Sequence, residues 1–344
     1  MLDHKKILFL LPKRTLNEAT IYYVDIIKTS FQNSGFEVLV SEELKDVKKY
    51  KNIFVMSAKW CFFVKLFNCN ARVVTWFQGL GGEEALMTRN SKRDKFLWSC
   101  VEGFSVKFSY LNIYVSECMH QYYSDRYKRK GVDENYFIMP CFNKDLNVNA
   151  FDLPDKYNNL SFVYAGGLDK WQCIETTLEI YKKIENKYPN ASLTLLTKQS
   201  EEASQLLEKF GIKNGAIKFV SLENLDNELS QYKYGFLIRE NHIVNNVSTP
   251  TKMNSYLANG IIPIYTDVIS DFESNLKSNL FLKLKKHEQV DEWVEHFFQF
   301  NDFLDRNIDS IKPDILDIFS HYYSREYYVK CMSEKIDSLD FRVV

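Results

Sequence analysis

Short, largely apolar runs recur through this chain, and most lead into a polar or glycine-containing loop and then into helical spacing. The first, residues 5–11 (KKILFLL), is followed by Tyr22, Tyr23, Ile26, Ile27 and Phe31 on one side of a helix near 18–33, with Gly35 beyond its end. Further runs lie at 36–40, 53–56, 71–76, 112–115 and 136–139, and again at 160–165, 193–197, 217–220, 234–238 and 261–265. A run that is apolar on both faces suits a parallel strand covered by helices on either side. Repeated strand–helix alternation therefore predicts doubly wound α/β sheets. The polar link at 140–156 divides the runs into two sets, and 344 residues is an ordinary length for two domains.

Several function classes are unsupported. No stretch of 18 apolar residues exists, so no transmembrane helix is expected. The apolar core at 7–11 is too short for a signal peptide and reads as a buried strand. Seven cysteines without a C-x-x-C pair suggest neither a disulfide framework nor a zinc site, and point to a reducing, cytoplasmic setting. Six scattered histidines show no ligand spacing, no G-x-S-x-G elbow occurs, and no nucleic-acid motif is present. Charge is uneven: residues 1–140 hold 21 Lys and Arg against 15 Asp and Glu, a net of +6, and the rest carries a net of −7. A basic first half suits peripheral contact with an anionic membrane, or is scatter about neutrality. Residues 85–109 mix Arg89, Lys92, Arg93, Lys95 and Lys107 with aromatic residues, as in a membrane-surface helix or a core helix with a basic edge. Gly103 and Ser105 argue against one uninterrupted helix there. Ser116 is placed to cap the next helix, which is expected to end at Gly131 with Arg129 and Lys130 in its last turn.

Three loops carry candidate chemistry. The segment 234–263 reads as strand, polar loop, helix and strand, with Pro250 in the first helical turn, Ser248 or Thr249 as cap and Gly260 as terminator. Arg239 precedes the helix start and Lys252 lies just inside it; two cations beside free N–H groups suit a diphosphate, and the pattern equally fits an ordinary strand–helix connection. Residues 160–173 place Gly166 and Gly167 between a strand and a helix start, a second candidate anion site without Walker spacing. After the fourth run, Gln78, Gly79, Gly81, Gly82, Glu83 and Glu84 cluster where open parallel sheets bind ligands.

The run VNNVSTPTKMNSYLANG at 244–260 resembles the nucleotide-sugar loop of GT-B glycosyltransferases, most closely the family-4 type of bacterial polysaccharide synthesis. The QGLGGEE segment at 78–84 is similar to the family's cleft-facing Gln-Gly-x-x-x-Glu-Glu. The resemblance implies two Rossmann-like domains facing across a cleft: an acceptor domain at 1–150, a nucleotide-sugar domain at 151–315, and a C-terminal helix at 316–344 crossing back to the first. It further implies a hexosyltransferase with Arg239 and Lys252 on the departing diphosphate, and with Glu83 or Glu84 orienting the acceptor or acting as base. Donor contacts would come from Gly166, Gly167, Lys170, Val220, Ser221, Leu222, Asn246, Ser248, Thr249, Pro250, Thr251 and Ser255, and acceptor-side contacts from Gln78, Gly79, Gly81 and Gly82.

The chain departs from the family where two glutamates are usual: Ser255 and Val247 occupy those positions. No Asp-x-Asp is present, so a basic clamp is expected to work without metal or cofactor. The implied partners are a nucleotide-sugar of UDP or GDP type and a saccharide or lipid-linked saccharide, with retention of anomeric configuration, on the inner face of a membrane. A nucleotide-sugar epimerase of the same fold and a non-catalytic nucleotide- or sugar-binding protein stand as alternatives.

Overall fold

A computed structural model of the chain describes residues 5–127, 135–339 and 341. The elements begin with β1 (Lys6–Leu10), α1 (Glu18–Asn33), β2 (Glu37–Ser41), β3 (Asn52–Val55), α2 (Ala58–Phe67), β4 (Arg72–Phe77), α3 (Gly81–Arg89), α4 (Lys92–Phe108), β5 (Leu111–Tyr114), α5 (Glu117–Tyr127) and β6 (Tyr136–Ile138). They continue with β7 (Ser161–Ala165), α6 (Ile174–Lys187), β8 (Ser192–Leu196), α7 (Ser200–Lys209), β9 (Gly215–Lys218), α8 (Leu222–Leu229), β10 (Tyr234–Leu237), α9 (Ile243–Asn246), α10 (Thr251–Ala258) and β11 (Ile262–Thr266). The last are α11 (Ser270–Asn275), β12 (Leu282–Leu284), α12 (Val290–Asp305), α13 (Ile311–His321) and α14 (Arg325–Ser338).

The chain divides into two compact units. The first holds Met1–Asn143, Val247–Thr249 and Ser324–Val344; the second holds Lys144–Asn246 and Pro250–Tyr323. Each is built on a six-stranded parallel sheet, in the order β2-β1-β3-β4-β5-β6 and β12-β11-β10-β7-β8-β9. In the first unit the order reverses between β1 and β3; in the second it reverses between β7 and β10. Such a reversal splays the following loops apart and leaves a ligand-sized crevice at the carboxyl ends of the strands.

Aromatic residues supply both cores. Phe9 of β1 packs on Phe31 and Phe54 at ring-centroid distances of 6.2 and 4.6 Å. Small residues bring α14 against α1: Ser30 Oγ donates to Val329 O at 3.3 Å and Ser333 Oγ to Ser30 O at 3.2 Å. In the second unit, fully buried Phe162 of β7 lies among Tyr181, Tyr234, Phe236 and Phe297. Ser116 caps α5 as expected, accepting from Met119 N at 3.0 Å, and also donates to Val247 O at 2.6 Å. The expected end of that helix at Arg129–Gly131 lies outside the described residues.

Four expectations are corrected. The helix α4 runs unbroken through Gly103 and Ser105. Gly103 is there because a Cβ would stand 2.7 Å from the Tyr127 ring, and Ser105 spends its hydroxyl on Ala58 O at 2.7 Å. The stretch between Arg239 and Thr249 is not wholly irregular, since it contains α9. Pro250 itself is the N-cap of α10; Thr249 accepts instead from Cys141 N at 2.8 Å. The strand expected at 217–220 is shifted back to Gly215–Lys218, and α2 has no counterpart among the sequence expectations.

Candidate functional site

In the second unit, β7 runs into Gly166, whose φ of +140° is open to glycine and strained for other residues. A 3-10 turn at Lys170–Gln172 follows, then α6. Arg239 leaves the end of β10, the strand beside β7, so both loops rise from the reversal point of the sheet. Arg239 is buried, with 7% of its surface exposed, and its backbone is fixed by a reciprocal pair of hydrogen bonds with the Thr266 hydroxyl, each 2.9 Å. Its Nη1 donates to Trp171 O at 2.9 Å and to Gln172 Oε1 at 2.6 Å.

Lys252, in the first turn of α10, reaches the same oxygen: Nζ donates to Gln172 Oε1 at 3.2 Å. The ammonium stands 3.8 Å from the Tyr164 ring centroid, a cation–π distance, and an ideal Cβ at Gly166 would come within 3.3 Å of it. Tyr164 in turn donates to Gly167 O and, at 3.4 Å, to Gln172 Oε1. One neutral amide oxygen thus serves two cations. Among the described residues, neither Arg239 nor Lys252 has a carboxylate partner. Burial, then the Arg239 charge, pushes the Lys252 ammonium well below its ordinary range; burial likewise lowers Arg239. Holding buried Arg239 and partly buried Lys252 side by side without a counter-ion is unfavourable. A bound anion would supply the missing negative charge.

The other donor-side candidates are placed less uniformly. Lys170 is exposed at the start of its turn and is not drawn to the pair. Val220, Ser221 and Leu222 lie at the surface beyond β9, at the edge of the sheet, beside Phe219, which is 65% exposed. Asn246 is turned to Asn241 Oδ1 at 3.1 Å and Val268 O at 2.8 Å. Ser248 and Thr249 cluster with the first unit; Thr251 and Ser255 lie on α10 with Lys252.

In the first unit, the loops after β3 and β4 enclose a cavity of about 300 Å³, lined among others by Gln78, Gly79, Gly81, Glu84, Trp98 and Glu102. Gln78 Nε2 donates to Met56 O at 3.0 Å, which fixes the loop across the sheet. A Cβ at Gly79 would fall on Glu84 Oε1, so a larger residue there would displace that carboxylate. Gly82 is buried, its amide held by Glu102, and does not line the space. The two adjacent glutamates separate. Burial raises Glu83, but Lys95 at 2.7 Å, Tyr122 at 2.8 Å and Arg126 at 3.3 Å outweigh it and hold the carboxyl below its usual range. Both Glu83 oxygens are therefore engaged by side chains, whereas Glu84 lines the cavity with Oε1 accepting from Leu80 N at 3.1 Å.

Sequence reasoning missed Gln172, Tyr164, Trp98 and Glu102. Glu102 is 3% exposed and accepts from Tyr123 Oη at 3.1 Å and Gly82 N at 3.4 Å. Burial raises its carboxyl from 4.5 to about 7 against those hydrogen bonds. Between these pH values the folded state holds a proton that the unfolded chain has released, so stability falls as pH rises through the window. Glu102→Gln keeps the shape and removes the charge. Thermal unfolding should show little change at pH 4 and a stabilisation of about 3 kcal/mol above pH 8. An offset independent of pH would contradict this reading of Glu102.

Comparison with known proteins agrees on the architecture. No protein-family model matches the sequence, and no curated protein matches it. Solved structures do. Sucrose-phosphate synthase from Thermosynechococcus elongatus is similar with a TM-score of 0.70 and 11% identity, over 97% of this chain and 99% of that one. HepE from Anabaena, solved with UDP-glucose, gives 0.68 and 12%, over 97% and 100%. TarM from S. aureus, solved with UDP and alpha-GlcNAc-glycerol, gives 0.63 and 12% over 85% of this chain. The chain spans 55% of the TarM length. At such identities the likeness speaks for the architecture: this chain has the GT-B fold of glycosyltransferases.

Proposed function

We propose that this chain transfers a hexosyl group from a nucleoside diphosphate sugar to a saccharide acceptor, and that Arg239 and Lys252 neutralise the departing diphosphate. The observation that carries the reading is the convergence of both cations on Gln172 Oε1, with no carboxylate partner among the described residues. In the reaction the bond from the anomeric carbon to the diphosphate oxygen breaks and a bond to an acceptor hydroxyl oxygen forms. Negative charge grows on the leaving oxygens, and fixed cations in a water-poor site stabilise that growth with little reorganisation. The basic clamp does the electrostatic work without metal. With retention, the departing phosphate takes the acceptor proton, as in the family-4 type. Exposed Phe219 offers a flat face for the base of a UDP or GDP donor. The cavity at Gln78, Glu84 and Trp98 offers an acceptor subsite, with carboxylate and amide for hydroxyls and an indole for the apolar face of a sugar ring. A lipid-linked saccharide at the inner face of a membrane fits this scheme.

The test is release of nucleoside diphosphate from UDP- and GDP-hexoses. The proposal predicts release that depends on a saccharide acceptor and is the same in magnesium and in chelator. Isomerised donor without an acceptor would identify an epimerase instead. Nucleotide binding without turnover of any donor would identify a binding protein.

A further inference from the structure

The helix α4 has two opposed faces. Trp98 and Glu102 line the cavity, and Ser105 and Val106 are buried beside them. At 100° per residue, Arg93, Phe96, Leu97, Cys100, Phe104, Lys107 and Phe108 fall on the other side within an arc of about 120°. That arc points to solvent: Phe96 is 68% exposed, Leu97 51% and Phe108 43%. The neighbouring helix α2 extends the apolar surface. Phe62 meets Phe104 at 5.1 Å, Phe104 meets Phe108 at 4.5 Å, and Leu66 at the end of α2 is 63% exposed. Exposed Lys59, Lys92, Arg93 and Lys107 stand on the same two helices. No helix among the described residues is long and apolar enough to cross a membrane.

We infer that the α2–α4 face docks on the surface of an anionic lipid bilayer. Large apolar side chains aligned along a helix and flanked by Lys and Arg match the chemistry of an interfacial helix: rings enter the acyl boundary while ammonium and guanidinium groups reach the phosphates. A protein partner fits less well, because interface cores are depleted of lysine. The docked face and the cavity wall belong to the same helix, on opposite sides of it. The inference stands apart from the transfer reading, since docking requires no nucleotide.

Flotation of the whole chain with vesicles, without nucleotide, tests it. Vesicles of phosphatidylcholine with phosphatidylglycerol should carry the protein upward, and phosphatidylcholine alone should do so weakly. Phe96→Ser with Leu97→Ser should weaken binding about a hundredfold from lost apolar burial. Lys92→Ala with Arg93→Ala should weaken it about 30-fold on the anionic vesicles. These four side chains are outside the cavity and the cation pair, and circular dichroism should report folded variants. Wild type that ignores both vesicles, or variants that float as wild type does, would overturn the inference. Self-association lost in the Phe96→Ser/Leu97→Ser variant, with vesicles ignored, would assign the face to a second copy and overturn it equally.

Discussion

Lys252→Ala and Arg239→Ala should each lower kcat/KM for the transfer by about 10² to 10³, or about 2.7–4 kcal/mol, the range found when one electrophilic donor is removed from a developing anion. Both side chains contact the same oxygen, so the two losses should not add. The structure also separates this effect from misfolding. Lys252 is desolvated beside Arg239, and burial with that repulsion lowers its affinity for a proton. Removing it relieves an unfavourable charge, so Lys252→Ala should keep or raise the thermal midpoint while activity collapses. Gln172→Glu is the complementary change. A carboxylate there would ion-pair with both cations at the distances the amide now occupies, 2.6 and 3.2 Å. That variant should be more stable than wild type and bind nucleotide more weakly. Full turnover in Lys252→Ala, or nucleotide affinity untouched in Gln172→Glu, would remove the pair from the mechanism.

Phe162→Ala should cost about 3–5 kcal/mol of stability. The ring is fully buried and meets four aromatic rings at centroid distances of 5.1 to 5.5 Å. They come from α6, β10 and α12, so collapse into the space left would require three elements to move together. The same strand carries Tyr164 and leads directly to Gly166, so loosening β7 should also weaken nucleotide binding. Urea unfolding followed by tyrosine and tryptophan fluorescence measures the cost. A loss below about 1 kcal/mol would mean that the aromatic cluster is not the centre of this core.

The fold was legible wherever a strand was buried on both faces. Runs such as ILFL in β1 and YGFL in β10 have no polar side to confuse with a helix, and the alternation with helices then implied parallel sheets. Local cues erred where tertiary contacts decided the matter. Gly103 looked like a helix break, yet a tyrosine ring packs against it, and Thr249 looked like a cap, yet its hydroxyl is used by Cys141. Of the candidate site, Arg239 and Lys252 could be read because each stands at a strand end or helix start. Gln172 could not, because its role depends on β7 and β10 lying side by side, a pairing between strands about 70 residues apart. The neighbours Glu83 and Glu84 were indistinguishable as sequence. Only the positions of Lys95, Tyr122 and Arg126 separate an ion-paired carboxylate from one that faces the cavity.

Calorimetric titration with UDP and GDP in the presence of a chelator, wild type beside Lys252→Ala, tests the central claim most directly. The account predicts that one of the two diphosphates binds wild type without metal, and that Lys252→Ala loses at least about tenfold in affinity, the effect of one charge-assisted hydrogen bond. A wild type that binds neither diphosphate, or a variant that binds as tightly as wild type, would contradict the claim that Arg239 and Lys252 form a diphosphate clamp.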